Sequence, residues 1–268
     1  MKKVAIALTL LLAGSALAQT VSFKDPAGDD DGPGTYSYPT DAVYSRGSFD
    51  LTGFTLKQNG AKTDVSVTVN GNLADPWSMG NGFATQMVFI FIDKDHEAGK
   101  GQTGSLSGLN IEFAPESAWE KVIILSPQQA ARVKTEVEQK AAAVKGDVII
   151  PARTRGAGRT ITGSIDTEAL GGGDPATWAY QVVMQSNEGF PSGSDLLTRK
   201  VNEYEGQHRF GGGNDGDCDP HVIDLLAGDA TGAKEEADLQ HKMLAHECGD
   251  DGSVKKLAVV SAVHAAKK

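Results

Sequence analysis

Apolar and polar residues alternate along much of the chain, the pattern of strands with one face buried. Val65, Val67 and Val69 alternate with Asp64, Ser66 and Thr68, and Leu109, Ile111 and Phe113 keep the same period of two. In residues 49–56 (FDLTGFTL), Phe49 and Leu51 share a face. Gly53 then predicts a bulge that resets the register to Phe54 and Leu56. Residues 87–92 (MVFIFI) are apolar on both faces and predict a central strand covered on both sides. Further strands are predicted at 119–125, 160–165, 178–184 and 257–263. Roughly eight to ten strands separated by Gly, Asn and Asp turns predict a sandwich or a barrel.

Two helices interrupt this pattern. Ser126-Pro127 reads as an N-cap followed by proline in the first turn, and good helix formers then run to Lys145 before Gly146. The expected insertion spans about 127–145, with a thin apolar stripe of Val133, Val137 and Val144. A second helix is expected at about 232–247, with Leu239, Met243 and Leu244 turned inward. Neither sits in a βαβ rhythm, so a doubly wound sheet is not expected. No Pro/Ser-rich linker divides the chain, which predicts one domain over 19–268.

Residues 1–18 (MKKVAIALTLLLAGSALA) have the form of a secretory leader: Lys2 and Lys3, an apolar stretch, then Ala16-Leu17-Ala18 as cleavage site. Export to the periplasm or medium is expected, and no later apolar run is long enough to span a membrane. Loss of Lys2 and Lys3 takes the formal charge from −10 to about −12, with 23 basic residues left against 35 acidic. So acidic a chain is a poor partner for nucleic acid or an anionic membrane. The 32 glycines argue against a helical bundle.

Export changes how the cysteines read. Cys218 and Cys248 are the only pair, and an oxidising compartment favours a disulfide. A rival arrangement is zinc held by Cys218, His221, His246 and Cys248.

The acid is clustered. Residues 25–34 (DPAGDDDGPG) pack four aspartates into a glycine-rich turn, with Asp50 opening the next strand. Hard oxygen ligands on such a loop suit calcium, although the EF-hand spacing is absent and a solvated polar turn is the alternative. A second, weaker metal candidate is Asp215, Asp217 and Asp219, and a third group is Asp93, Asp95, His96 and Glu97 at the end of the central strand.

The run from Asp25 to Asp50, with D-P-x-G-D-D-x-G-P-G-x-Y-x-Y-P-T and a later F-D-L-T-x-F, resembles the C-terminal module of glucodextranases. Asp75-Pro76-Trp77, Phe210-Gly211-Gly212-Gly213 and Pro220-His221-Val222-Ile223-Asp224 extend the resemblance. It implies an all-β, immunoglobulin-like or jelly-roll β-sandwich, here with two accessory helices, similar to family 9 carbohydrate-binding modules and the DOMON superfamily. It implies binding of a polysaccharide or cell-wall glycan without catalysis, and structural calcium at Asp25, Asp29, Asp30 and Asp50. No catalytic domain accompanies the module, so a separate amylolytic enzyme or an envelope protein is the expected partner. A structural module of the envelope without sugar affinity is the alternative.

Sugars stack on aromatic rings, and the candidates are Trp77, Tyr36, Tyr38 and Trp119. An enzyme is not expected. The run Gly104-Ser105-Leu106-Ser107-Gly108 places its serines wrongly for a nucleophile elbow, and His246-Glu247 lacks the second histidine of a zinc-protease motif. Haem ligation, known in the DOMON superfamily, finds no recognisable motif here.

Overall fold

The computed structural model describes residues 19–191, 193–228 and 232–265; the leader expected at 1–18 lies outside them. In chain order the strands are β1 (Gln19–Lys24), β2 (Leu51–Asn59), β3 (Lys62–Val69), β4 (Gln86–Asp93), β5 (Ile111–Phe113) and β6 (Lys121–Leu125). Helix α1 (Ala130–Lys140) follows, then β7 (Val148–Ile149), β8 (Thr154–Ala157), β9 (Thr160–Asp166), β10 (Ala179–Ser186) and β11 (Asp224–Leu225). Helix α2 (Ala233–Met243) precedes four short strands: β12 (Glu247–Cys248), β13 (Val254–Lys256), β14 (Ala258–Val260) and β15 (Val263–His264).

The main strands form a sandwich, one of the two architectures the strand pattern predicts and the one the resemblance implies. One sheet runs β1-β2-β3-β9-β8, the other β11-β10-β4-β6-β7, with β15 also paired to β10. Between them lie Phe54, Leu56, Val65, Val67 and Ile161 from the first sheet, and Val88, Ile90, Ile123, Tyr180 and Val182 from the second. The predicted bulge is present: Leu51 pairs Val69, but Gly53 already pairs Thr68, so one extra residue enters β2. Its function is to keep both Leu51 and Phe54 in the core.

The outer face of the second sheet is also covered. Phe89, Phe91, Val122, Ile124 and Val183 pack under α1 (Val133, Val137), under Leu196 and Leu197, and under the β5–β14 pair. Every residue of β4 is therefore buried, which is why its sequence shows no alternation. The outer face of the first sheet stays in solvent, and Ser22, Lys57, Asp64, Thr162 and Ser164 lie there exposed.

Three elements differ from expectation. Helix α1 is shorter than 127–145 at both ends. At its start the Ser126 hydroxyl accepts the Gln128 N–H in a turn instead of capping a helix. At its end two successive turns (Val144 N–H to Ala141 O, Asp147 N–H to Val144 O) swing Val148 beside Val122 in parallel pairing. Pairing with β6 thus overrides the helix propensity of the alanines. Helix α2 ends at Met243, and Leu239 is 37% exposed where it was expected inward; among the described side chains of this helix, Glu236 and Gln240 are the fully buried ones. The expected final strand breaks into short pieces that serve different partners, β5 and β10.

Candidate cation site and exposed aromatic surface

The acidic turn leaves β1 and closes against the end of the second sheet. Gly32 N–H donates to Ile223 O at 2.9 Å, which lays the turn beside β11. Gly28, Gly32 and Gly34 have φ of +115°, +61° and +96°, so the chain bends here through conformations that favour glycine. This bend carries Asp25 and Asp29 inward to meet Asp224 of β11. One carboxylate oxygen from each lies within 4.8 Å of the others. The three residues are 5%, 1% and 0% exposed.

These carboxylates are buried without compensation. Among the described residues, neither oxygen of Asp25 or Asp29 has a hydrogen-bond partner, nor have Asp50 Oδ1, Asp224 Oδ1 and Glu236 Oε2. The second oxygens are used: Asp224 Oδ2 accepts the Leu51 N–H at 2.5 Å, and Asp50 Oδ2 accepts Gly28 N–H and the Asn70 amide, each at 3.1 Å. Burial, then the charges of Glu236 and Asp50, push the Asp25 carboxyl up to about 9. Burial pushes Glu236 to about 7 and Asp50 to about 6. Asp224 is raised well above the usual range by burial and by the charge of Asp25. Several acids packed at low dielectric repel unless they are protonated or share a cation. An oxygen-only set of this kind suits a hard divalent cation, calcium above all.

Of the four carboxylates singled out in the sequence, Asp25 and Asp29 converge and Asp50 borders them. Asp30 differs: it accepts the Tyr38 hydroxyl and lies outside the convergent group. Asp224, the third member of the group, was not among the carboxylates expected from the sequence. The legible signal was Asp224, an acid directly after Val222 and Ile223 at a buried position.

Of the other acidic groups, Asp93, Asp95 and Glu120 also bring one oxygen each within 4.8 Å, at a less buried position, whereas the 215–219 run forms no such group among the described residues. Asp215 accepts the Glu203 N–H, Asp217 pairs with Lys200, and Asp219 accepts the Asn214 N–H and the Tyr36 hydroxyl. Asp217 and Asp219 also flank the His221 ring, each 3.7 Å from one of its nitrogens, and the three carboxylates form no convergent group among the described residues. In the third group Asp93 and Asp95 approach Glu120, while Glu97 turns to Lys100. Asp93 is already occupied by the N–H groups of Asp95 and His96 and by the His96 ring. Cys218 and Cys248 form a disulfide, so neither sulfur remains for the rival zinc arrangement.

Three of the four aromatic candidates are buried. Tyr36 donates to Pro220 O and Asp219, and Tyr38 packs against Phe49 and Phe210. Trp119 is 1% exposed, with its indole N–H on Gly104 O and its ring against Phe91. None of these offers a ring face to a sugar. Trp77 does, at 37% exposed. Its ring stands 6.0 Å from His208 and 6.3 Å from Tyr44, with the Arg199 guanidinium 6.0 Å away. Arg199 is held in place by Glu188 and the Tyr44 hydroxyl, and Arg209 also reaches Glu188.

A sequence model of the C-terminal, SLH-like binding module of glucodextranase matches residues 20–262. The chain belongs to this family. No curated protein matches it significantly. The glucodextranase-module match takes in the acidic turn, β11, α2 and the Trp77 loop together. The family is a binding module and not a catalytic domain. Among the described residues of this module, no helix is long and apolar enough to cross a membrane. Its disulfide fits an oxidising compartment.

Proposed function

We propose that the protein is an exported, non-catalytic module that binds glycan at the cell envelope and is stabilised by calcium. The observation that carries the binding half is the family match over residues 20–262. Within that frame Trp77 is the exposed ring among the sequence candidates, and Arg199 and His208 beside it are polar groups near enough to meet sugar hydroxyls. The calcium half rests on the unpartnered, buried oxygens of Asp25, Asp29 and Asp224. The ion would be held by these three, with Asp50 alongside, and would supply charge neutralisation and no chemistry.

The test is a titration of the purified chain with starch, dextran and cell-wall fragments in calcium buffer, read by tryptophan emission and by retention on immobilised glycan. Binding that is lost in Trp77→Ala supports the reading. Failure of every glycan would leave the second reading, a module that docks on an envelope protein. That alternative has its own observation: Phe190 and Tyr204 are 91% and 73% exposed, prominent for apolar rings on a protein surface.

A further inference from the structure

Helix α2 buries a polar face. Glu236 and Gln240 are both 0% exposed and lie one turn apart, so they project from the same side. That side meets the acidic turn and β11. The Gln240 amide donates to Asp29 O and Gly32 O, and its oxygen accepts the Leu225 N–H at 2.8 Å. His241, the next residue, sits 3.0 Å from Asp31 Oδ1. Glu236 accepts the Ala227 N–H at 3.1 Å through Oε1, while Oε2 is buried without a partner among the described residues. Its carboxyl lies within hydrogen-bonding reach of Asp25, at the edge of the Asp25, Asp29 and Asp224 group and outside that trio.

We propose that Glu236 completes the cation site from α2, so that the bound ion fastens the C-terminal helix to the acidic turn some 210 residues earlier. The inference rests on the calcium reading above and extends it to a residue and an element outside the N-terminal strands. Met243 and Leu244 anchor the end of α2 in the apolar cluster, while its fully buried described side chains, Glu236 and Gln240, are polar and bring an acid to a nest of acids. Without a cation, Glu236 and Asp25 are compatible only while one of them keeps a proton. With a cation, the Glu236 carboxylate is a ligand, and the hydrogen bonds of Gln240 set the distance at which it acts.

Two measurements on the full chain test this. Calcium affinity is measured by calorimetry for the wild type and for Glu236→Gln, which keeps the size and the Ala227 contact. Hydrogen exchange of peptides covering 233–243 is measured in calcium and in chelator. The expected result is an affinity loss of about tenfold or more in Glu236→Gln, since ligand charge tunes calcium affinity. Exchange in α2 should speed up in chelator in the wild type, and stay fast in Glu236→Gln at calcium levels that saturate the wild type. A wild type that binds calcium but shows indifferent exchange in α2, or a Glu236→Gln that binds as tightly, overturns the inference and leaves the site of Asp25, Asp29 and Asp224 standing. A wild type that binds no calcium overturns both. If Glu236→Gln does not fold, the wild-type exchange comparison decides alone.

Discussion

Asp29 has both carboxylate oxygens buried and unpartnered, and it lies within reach of two other acids. Its worth to the fold should therefore change sign with calcium. In chelator, Asp29→Asn removes one of the repelling charges and should raise the melting temperature by a few degrees, about 1–3 kcal/mol. In millimolar calcium the same variant loses a ligand. The stabilisation by bound ion, about 2.7 kcal/mol at a hundredfold excess over the dissociation constant, should shrink. A variant that melts below wild type in both buffers would count against a cation-shared cluster. Acidity gives a second test. Asp25, Glu236 and Asp50 have carboxyls raised to about 9, 7 and 6. A carboxyl raised on folding contributes stability below its unfolded value and loses that contribution as pH climbs through the folded one. The ion-free protein should therefore lose stability steadily from about pH 5 to pH 9. The calcium-induced rise in melting temperature should grow over the same interval, because the ligands must be deprotonated. Thermal melts at matched ionic strength in both buffers read both slopes. The sequence disclosed Asp25 and Asp29 because charge and glycine coincide there. It hid Glu236 because an acid in the first turn of a polar helix looks like any solvated one.

Strands were legible where burial imposed a pattern and illegible where it did not. β4 announces itself as MVFIFI because both faces are covered, and the β2 bulge announces itself through Gly53. β8 (TRGA) is an edge strand with almost no apolar side chain, and nothing in its sequence marks it. It exists because β9 offers it a register, Thr154 on Gly163 through Ala157 on Thr160. β1 carries only Val21 and Phe23 inward, too little to separate it from a loop. The C-terminal segment was the least legible, since its strands are two or three residues long and draw their order from partners elsewhere. The disulfide ties this segment back across α2, joining Cys218 to Cys248 of β12 over a separation of 30 residues. Cys218→Ala with Cys248→Ala should cost about 2–4 kcal/mol. Protease cleavage in the double variant should begin between α2 and β13 before it reaches the sandwich. Cleavage that starts in the main sheets instead would show that the bridge is not what orders this segment.

Across the whole molecule, the two sheets supply rigidity and the loops at their ends supply the chemistry. The exposed face of the first sheet carries serine, threonine, lysine, arginine and aspartate, with no outward aromatic among the described residues. Glycan stacking is therefore not expected on that sheet. The proposed contact lies instead with the loops, where Trp77 meets the 188–210 segment through His208 and Arg199. This assignment can be checked before any glycan is known. Of the three tryptophans, Trp119 and Trp178 are 1% and 2% exposed, against 37% for Trp77. Nearly all emission accessible to iodide or acrylamide should come from Trp77. Trp77→Phe should abolish the quenchable fraction with little change in melting temperature, because the ring lies over the surface and outside the sandwich core. A glycan that stacks on Trp77 should protect the wild-type emission from quenching in proportion to saturation, and should do nothing to the emission of Trp77→Phe. Protection that persists in Trp77→Phe would move the contact to another surface, with Phe190 and Tyr204 the next exposed rings to substitute.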